Sequence, residues 1–100
     1  MELIFNKTDE NKLYVKYTGK INIENSNEIN ASIQDNLKDI KELVFDFSEI
    51  PYISSAGLRM IHSVYKTLSN QKGSLYIKNA NQDVKNVFEI SGFQTFLTLI

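Results

Sequence analysis

One histidine, no cysteine and a pair of adjacent serines bound the chemistry open to this 100-residue chain. Without cysteine, a thiolate nucleophile, a disulfide framework and a zinc ribbon are excluded together. The carboxylate groups Asp9-Glu10, Asp35-Asp39 and Asp46-Glu49 lack the spacing of a calcium loop, so no metal is expected. His62 follows Ser55 by seven residues. On one helix that spacing places them ~10 Å apart along the axis, too far for a serine and its base to share a proton. Ser55-Ala56-Gly57 half matches a nucleophile elbow, but Ile53 stands where the leading glycine belongs. Gly19, Gly57, Gly73 and Gly92 are scattered singly, so no glycine-rich loop is present to cradle a nucleotide. The expectation is a non-enzyme without a cofactor.

What remains is Pro51-Tyr52-Ile53-Ser54-Ser55-Ala56-Gly57-Leu58, two hydroxyls ahead of an amphipathic helix. Serine is a preferred N-cap because its oxygen satisfies one of the orphan amides of a helix start. On a helical wheel with Leu58 at zero, Ser55 falls at about 60°, beside Arg59, His62 and Lys66, and Ser54 falls on the apolar side. The spacing therefore predicts that Ser54 caps and Ser55 faces solvent. A phosphate on Ser55 would meet the positive end of the helix and lie within reach of Arg59 at i+4. It would add nearly two negative charges to an exposed surface, and its effect would fall on partner choice.

These residues need elements to position them. Leu13, Val15 and Tyr17 alternate with polar neighbours in the period-two pattern of a strand with one buried face. Leu3 to Asn6 forms a shorter strand before it, and Lys7 to Asn11 joins the two as an antiparallel hairpin ended by Gly19. Ile29, Ile33, Leu37 and Ile40 recur at helical spacing after Asn25, and Asn25 with Glu28 resembles a capping box. Leu43 to Phe47, interrupted only by Asp46, reads as the central strand, covered on both faces. Pro51 makes Ser48 to Ile53 an irregular connection. Leu58, Ile61, Val64, Tyr65 and Leu68 define a helix from about Ala56 to Gln71, closed by Gly73. Ser74 to Lys78 is a further strand. Val84, Val87, Phe88 and Ile90 mark a third helix that Gly92 ends, and Phe96 to Ile100 a last strand.

The order β-β-α-β-α-β-α-β predicts an α/β fold over residues 1–100 as one domain, a mixed sheet with an N-terminal hairpin and helices packed on it. With 42% apolar and 23% charged residues, the composition suits one small core. Eleven basic against twelve acidic residues leave a net charge of -1, so no basic field exists to hold nucleic acid or an anionic membrane. The start, Met1 to Lys7, lacks the character of a signal peptide, and no apolar run approaches the ~18 residues of a membrane span. A soluble, cytoplasmic protein is expected.

Leu43-Val44-Phe45-Asp46-Phe47-Ser48-Glu49-Ile50-Pro51-Tyr52-Ile53-Ser54-Ser55-Ala56-Gly57-Leu58 resembles the signature of STAS domains, in particular the bacterial anti-sigma factor antagonists. Tyr17-Thr18-Gly19-Lys20-Ile21-Asn22 resembles the family's strand end and following loop, and Asp83 to Phe93 its third helix and exit. The resemblance implies a partner-exchange switch in transcription regulation. An unphosphorylated antagonist docks on a serine kinase that doubles as an anti-sigma factor and so frees a sigma factor. The kinase phosphorylates the antagonist and ends the docking, and a metal-dependent serine phosphatase restores it. By position the phosphoacceptor is Ser55, and Asn22, Asn25, Ser54, Gly57, Arg59 and His62 fall near the partner-binding surface. Ser54 and Asn22 both stand where acidic residues are common in the family. The resemblance ends at Ile100 without the last helix many members have, and the expectation is a sheet face partly uncovered, for a homodimer or another partner to cover. The resemblance also admits a structural or regulatory module of a stressosome-like or lipid-transport complex, in which the serine merely caps.

Overall fold

The computed structural model describes residues 2–100. Its elements are β1 (Glu2–Asp9), β2 (Lys12–Thr18), α1 (Ser26–Gln34), β3 (Glu42–Asp46), α2 (Ser55–Asn70), β4 (Ser74–Lys78), α3 (Gln82–Ile90), a 3₁₀ turn (Phe93–Thr95) and β5 (Thr98–Leu99). The strands form one sheet in the order β1-β2-β3-β4-β5. β1 and β2 are antiparallel; the other neighbours run parallel, each joined through one helix. The mixed sheet, the hairpin and the central place of β3 agree with the sequence pattern.

Period-two alternation decides which face of the sheet is covered. Leu13, Val15 and Tyr17 of β2, Leu43 and Phe45 of β3, and Leu75 and Ile77 of β4 are buried. They join Ile29 and Ile33 of α1, Ile61, Val64 and Leu68 of α2, and Val84 and Phe88 of α3 in one core. On the opposite face Tyr14, Lys16, Val44 and Tyr76 are only half-buried. β3 is thus covered by helices on one face rather than on two. Its apolar run reads as doubly covered because Val44 packs in the middle of a sheet.

Four further boundaries depart from the pattern. β1 runs on to Asp9, so the hairpin turns at Glu10 and Asn11 rather than over Lys7 to Asn11, because Lys7 and Asp9 pair with Leu13 and Lys12. α1 stops at Gln34, and Leu37 and Ile40 reach the core from tight turns, Leu37 N–H donating to Gln34 O at 3.2 Å and Ile40 N–H to Leu37 O at 3.0 Å. Both side chains are about 1% exposed, so helical spacing persists in the burial after the helix has ended. At the end of α2 the left-handed residue is Lys72, at φ 61°, not Gly73. Lys72 N–H donates to Ser69 O at 3.0 Å and Gly73 N–H to Leu68 O at 2.6 Å, a Schellman closure. Gly73 sits in a tight place, where a Cβ would meet the Lys41, Ile40 and Leu68 carbonyl oxygens at 3.0–3.2 Å. In the last segment the strand shrinks to Thr98–Leu99, because Phe93 to Thr95 coils into a 3₁₀ turn that brings Phe96 and Leu97 onto the core.

α1 is fastened along α2 by a polar seam. Thr67 Oγ1 donates to Gln34 Oε1 at 3.0 Å, and Gln34 Nε2 donates to Asn30 Oδ1 at 3.2 Å and to Ser63 Oγ at 3.3 Å. This seam sets the start of α2 beside the loop that leads into α1.

Candidate functional site: the start of helix α2

Two loops meet at the end of the sheet. Residues 19–25 lead from β2 to α1, and residues 47–54 lead from β3 to α2. They pair as a continuation of the sheet through a parallel bridge between Ile21 and Ile53. Ile21 N–H donates to Tyr52 O at 3.2 Å, and Ser54 N–H donates to Ile21 O at 2.9 Å. Gly57 lets α2 sit on this bridge. A Cβ there would lie 2.5 Å from Ile53 Cγ1 and 2.8 Å from Ile21 Cγ2, distances no packed carbon tolerates.

Ser54 is the N-cap of α2: its backbone is extended and its Oγ accepts from Gly57 N–H at 3.3 Å. Ser55 is the first helical residue and is exposed, whereas Ala56, Gly57 and Leu58 behind it are buried. The two adjacent hydroxyls therefore have different environments, one engaged by the backbone and one open to solvent. Arg59 and His62 are exposed on the same side of α2. Ser55, Leu58, Arg59 and His62 line a groove of about 700 Å³ completed by Phe93 and Phe96. Arg59 also borders a second groove of about 340 Å³ toward α1, lined by Ile23, Ser26, Asn27, Asn30, Ala56 and Met60.

Asn22 and Asn25 act inside the first loop. Asn25 Oδ1 accepts from Asn22 N–H at 2.9 Å, and its Nδ2 donates to Lys20 O at 2.8 Å and to Tyr17 Oη at 3.1 Å. Asn22 Oδ1 accepts from Glu24 N–H at 2.9 Å. Asn25 is the N-cap residue of α1 by position, yet its side chain makes no cap bond. The expected capping box is absent because the amide turns back to hold the loop. Burial, Glu28 and the Asn25 contact act together on Tyr17, with burial first and the Asn25 bond opposing, and the phenol is raised above its usual range.

The second loop is anchored by a buried carboxylate. Asp46 Oδ1 accepts from Ser48 N–H at 2.8 Å and Asn79 Nδ2–H at 3.4 Å, and Tyr14 Oη–H donates to Asp46 Oδ2. Burial pushes the Asp46 carboxyl up, but the donors from Tyr14, Ser48 and Asn79 outweigh it and hold the group below its ordinary range. The same bond to Asp46, with burial and the carboxylate charge, pushes Tyr14 up to about 12. Asn81, which caps α3 by accepting from Val84 N–H at 2.8 Å, also donates to Pro51 O at 3.3 Å.

Sequence reasoning missed two exposed apolar residues beside the bridge, Ile23 at 74% and Tyr52 at 51% exposure. The available signal was a large apolar side chain set among polar neighbours in each loop. It also missed the groove walls Phe93 and Phe96, which read as strand and core positions. Among the described residues no group of three or more His, Asp and Glu side chains is placed to hold a metal ion. Nor is any helix there long and apolar enough to cross a membrane.

A five-stranded mixed sheet that ends in two bridged loops, with an exposed hydroxyl on the first helical residue beyond them, defines a small single-sheet α/β domain. The STAS domain model matches residues 4–100. A Bordetella bronchiseptica protein named as an anti-sigma factor antagonist, BtrV, is 35% identical over 94 residues, covering 93% of this chain and 80% of its own. The anti-sigma-B factor antagonist of Bacillus subtilis is 22% identical over 93 residues, covering 93% of this chain and 85% of its own. The solved structure of the anti-sigma factor antagonist SpoIIAA in its unphosphorylated form superposes with a TM-score of 0.86 at 15% identity, over 99% of this chain and 88% of that one. The Bacillus SpoIIAA structure in the phosphorylated form gives a TM-score of 0.77 at 14% identity, over 99% and 91%. The chain belongs to the STAS domain family, among the anti-sigma factor antagonists.

Proposed function

We propose that this chain is an anti-sigma factor antagonist that works as a phosphorylation-controlled switch between protein partners. Unphosphorylated, it binds a serine kinase that is also an anti-sigma factor, and the sigma factor held by that kinase is released. In the transfer that ends the docking, Ser55 Oγ bonds to the γ-phosphorus of ATP and the bond to the β,γ-bridging oxygen breaks. The hydroxyl proton passes to a base of the kinase and ADP leaves. A metal-dependent serine phosphatase reverses the modification by hydrolysis. Residues 1–100 act as one domain in the cytoplasm, with no cofactor, and the kinase supplies the catalysis. The observation that carries this reading is the division of labour between the two serines: Ser54 Oγ is held by Gly57 N–H at 3.3 Å, and Ser55 stands exposed at the first position of α2.

Mass spectrometry tests it directly. The chain is incubated with ATP, magnesium and a lysate of its source cells beside Ser54→Ala and Ser55→Ala controls. One added phosphate that is lost only in Ser55→Ala is the expected result. Loss only in Ser54→Ala, or no phosphate under conditions that modify a known antagonist, overturns the assignment. Ser55→Asp should also lose the kinase that Ser55→Ala retains, and equal binding of the two would remove the mechanism.

A further inference from the structure

Ser55 borders an open groove. Leu58, Arg59 and His62 of α2 line it with Ser55, and Phe93 and Phe96 complete it. The rings hold one another in place: Phe96 lies 4.8 Å from Tyr65, 4.9 Å from Phe93 and 5.7 Å from His62 between centroids. Arg59 is exposed beside the groove, and among the described residues no carboxylate lies within ion-pair distance of it. An apolar slot with a free guanidinium at its edge fits a partner segment that seats an apolar side chain and brings a carboxylate to the rim. Any kinase that presents a phosphoryl group to Ser55 must cover this edge, so acceptor and groove fall within one footprint.

We infer that the groove receives an acidic-apolar segment of the docked kinase, and that Arg59 is the residue through which phosphate on Ser55 ends the docking. The inference rests on Ser55 being the acceptor. Residues four apart on a helix are neighbours, ~5–6 Å between Cβ atoms, so the phosphate forms beside the guanidinium. A phosphate carries more charge than a carboxylate and accepts the guanidinium fork in bidentate geometry. Phosphorylation thus takes Arg59 from the partner's carboxylate and sets a like charge opposite it.

The test titrates the full-length chain, by calorimetry, with the purified kinase that transfers radiolabelled phosphate to it. Arg59→Glu should weaken binding at least about tenfold, and Arg59→Lys should retain most of it. His62→Ala, an exposed change in the groove wall, should weaken it severalfold, with an amide spectrum confirming the fold. Phosphorylation should cost Arg59→Gln much less additional affinity than it costs the unsubstituted chain, because the pair it breaks is already gone. Arg59→Glu and His62→Ala binding as tightly as the unsubstituted chain, with Ser55 still labelled, would overturn the groove and leave the switch standing. Failure of Ser55 to be labelled would overturn both.

Discussion

Replacing Gly57 by alanine tests whether the site depends on close approach of α2 to the bridged loops. The new Cβ would sit 2.5 Å from Ile53 Cγ1 and 2.8 Å from Ile21 Cγ2, about 1 Å inside ordinary carbon contact. Neither side chain has room to yield, since Ile21 is 0% and Ile53 1% exposed and both are β-branched, with restricted χ1. Overpacking of this kind costs about 1–3 kcal/mol. Alanine returns up to about 1 kcal/mol through its better helix propensity. Contacts under 3.0 Å on two buried side chains place the overpacking in the upper half of its range, about 2–3 kcal/mol. With the full propensity gain subtracted the net loss is about 1–2 kcal/mol, which for a domain of this size lowers the melting temperature by roughly 5–15 °C. Thermal unfolding followed by circular dichroism measures the loss, and amide shifts should concentrate at Ile21, Ile53 and Ser54. Gly92→Ala is the control: a Cβ there meets nothing within 4 Å, so its cost comes only from the positive φ of 75°. A Gly57→Ala chain as stable as the parent would refute the packing argument.

Ser54→Ala should cost about 1 kcal/mol in urea unfolding through loss of the cap, and Ser55→Ala should stay within about 0.5 kcal/mol. Tyr14→Phe removes a hydrogen bond to a buried carboxylate and should cost about 1.5–3 kcal/mol near neutral pH. The same variant separates two pH windows. Asp46 is held below its ordinary range, so its contribution is present above the unfolded value of ~3.9 and is lost as pH falls through the folded one. Without Tyr14 that pKa rises, and acid unfolding should begin at higher pH. Tyr14 is raised to about 12, so its contribution is complete below ~10 and is lost as pH rises toward 12. Stability against pH in the parent should fall through that alkaline window more steeply than in Tyr14→Phe.

The parts of this molecule that depend on short-range periodicity were legible before any coordinates. Alternation at Leu13, Val15 and Tyr17 and the helical arc from Leu58 to Leu68 placed β2 and α2, and the wheel position of Ser54 against Ser55 separated cap from exposed hydroxyl. What escaped depends on tertiary context. Leu37 and Ile40 continue a helical spacing without a helix, because a core can be filled equally well from tight turns. Asn25 has the residue type of a cap but its amide is drawn to Lys20 O and Tyr17 Oη, partners brought near only by the folded loop. Lys72 takes the left-handed position one residue before the available glycine, and Gly73 lies where three carbonyl oxygens crowd it. The groove beside Ser55 joins residues of α2 to aromatics more than thirty positions later, and no local pattern signals that meeting.

The Ile21–Ile53 bridge makes the approach to α1 and the approach to α2 a single rigid platform. A partner landing on Ile23 or Tyr52 presses on the same ladder that carries Ser54, so neither loop must be ordered at the moment of contact. Most of the entropic cost of ordering these loops is then met during folding. With Ser55 as the acceptor, as proposed, a phosphate mounted on such a platform acts through its charge and needs no refolding of either loop.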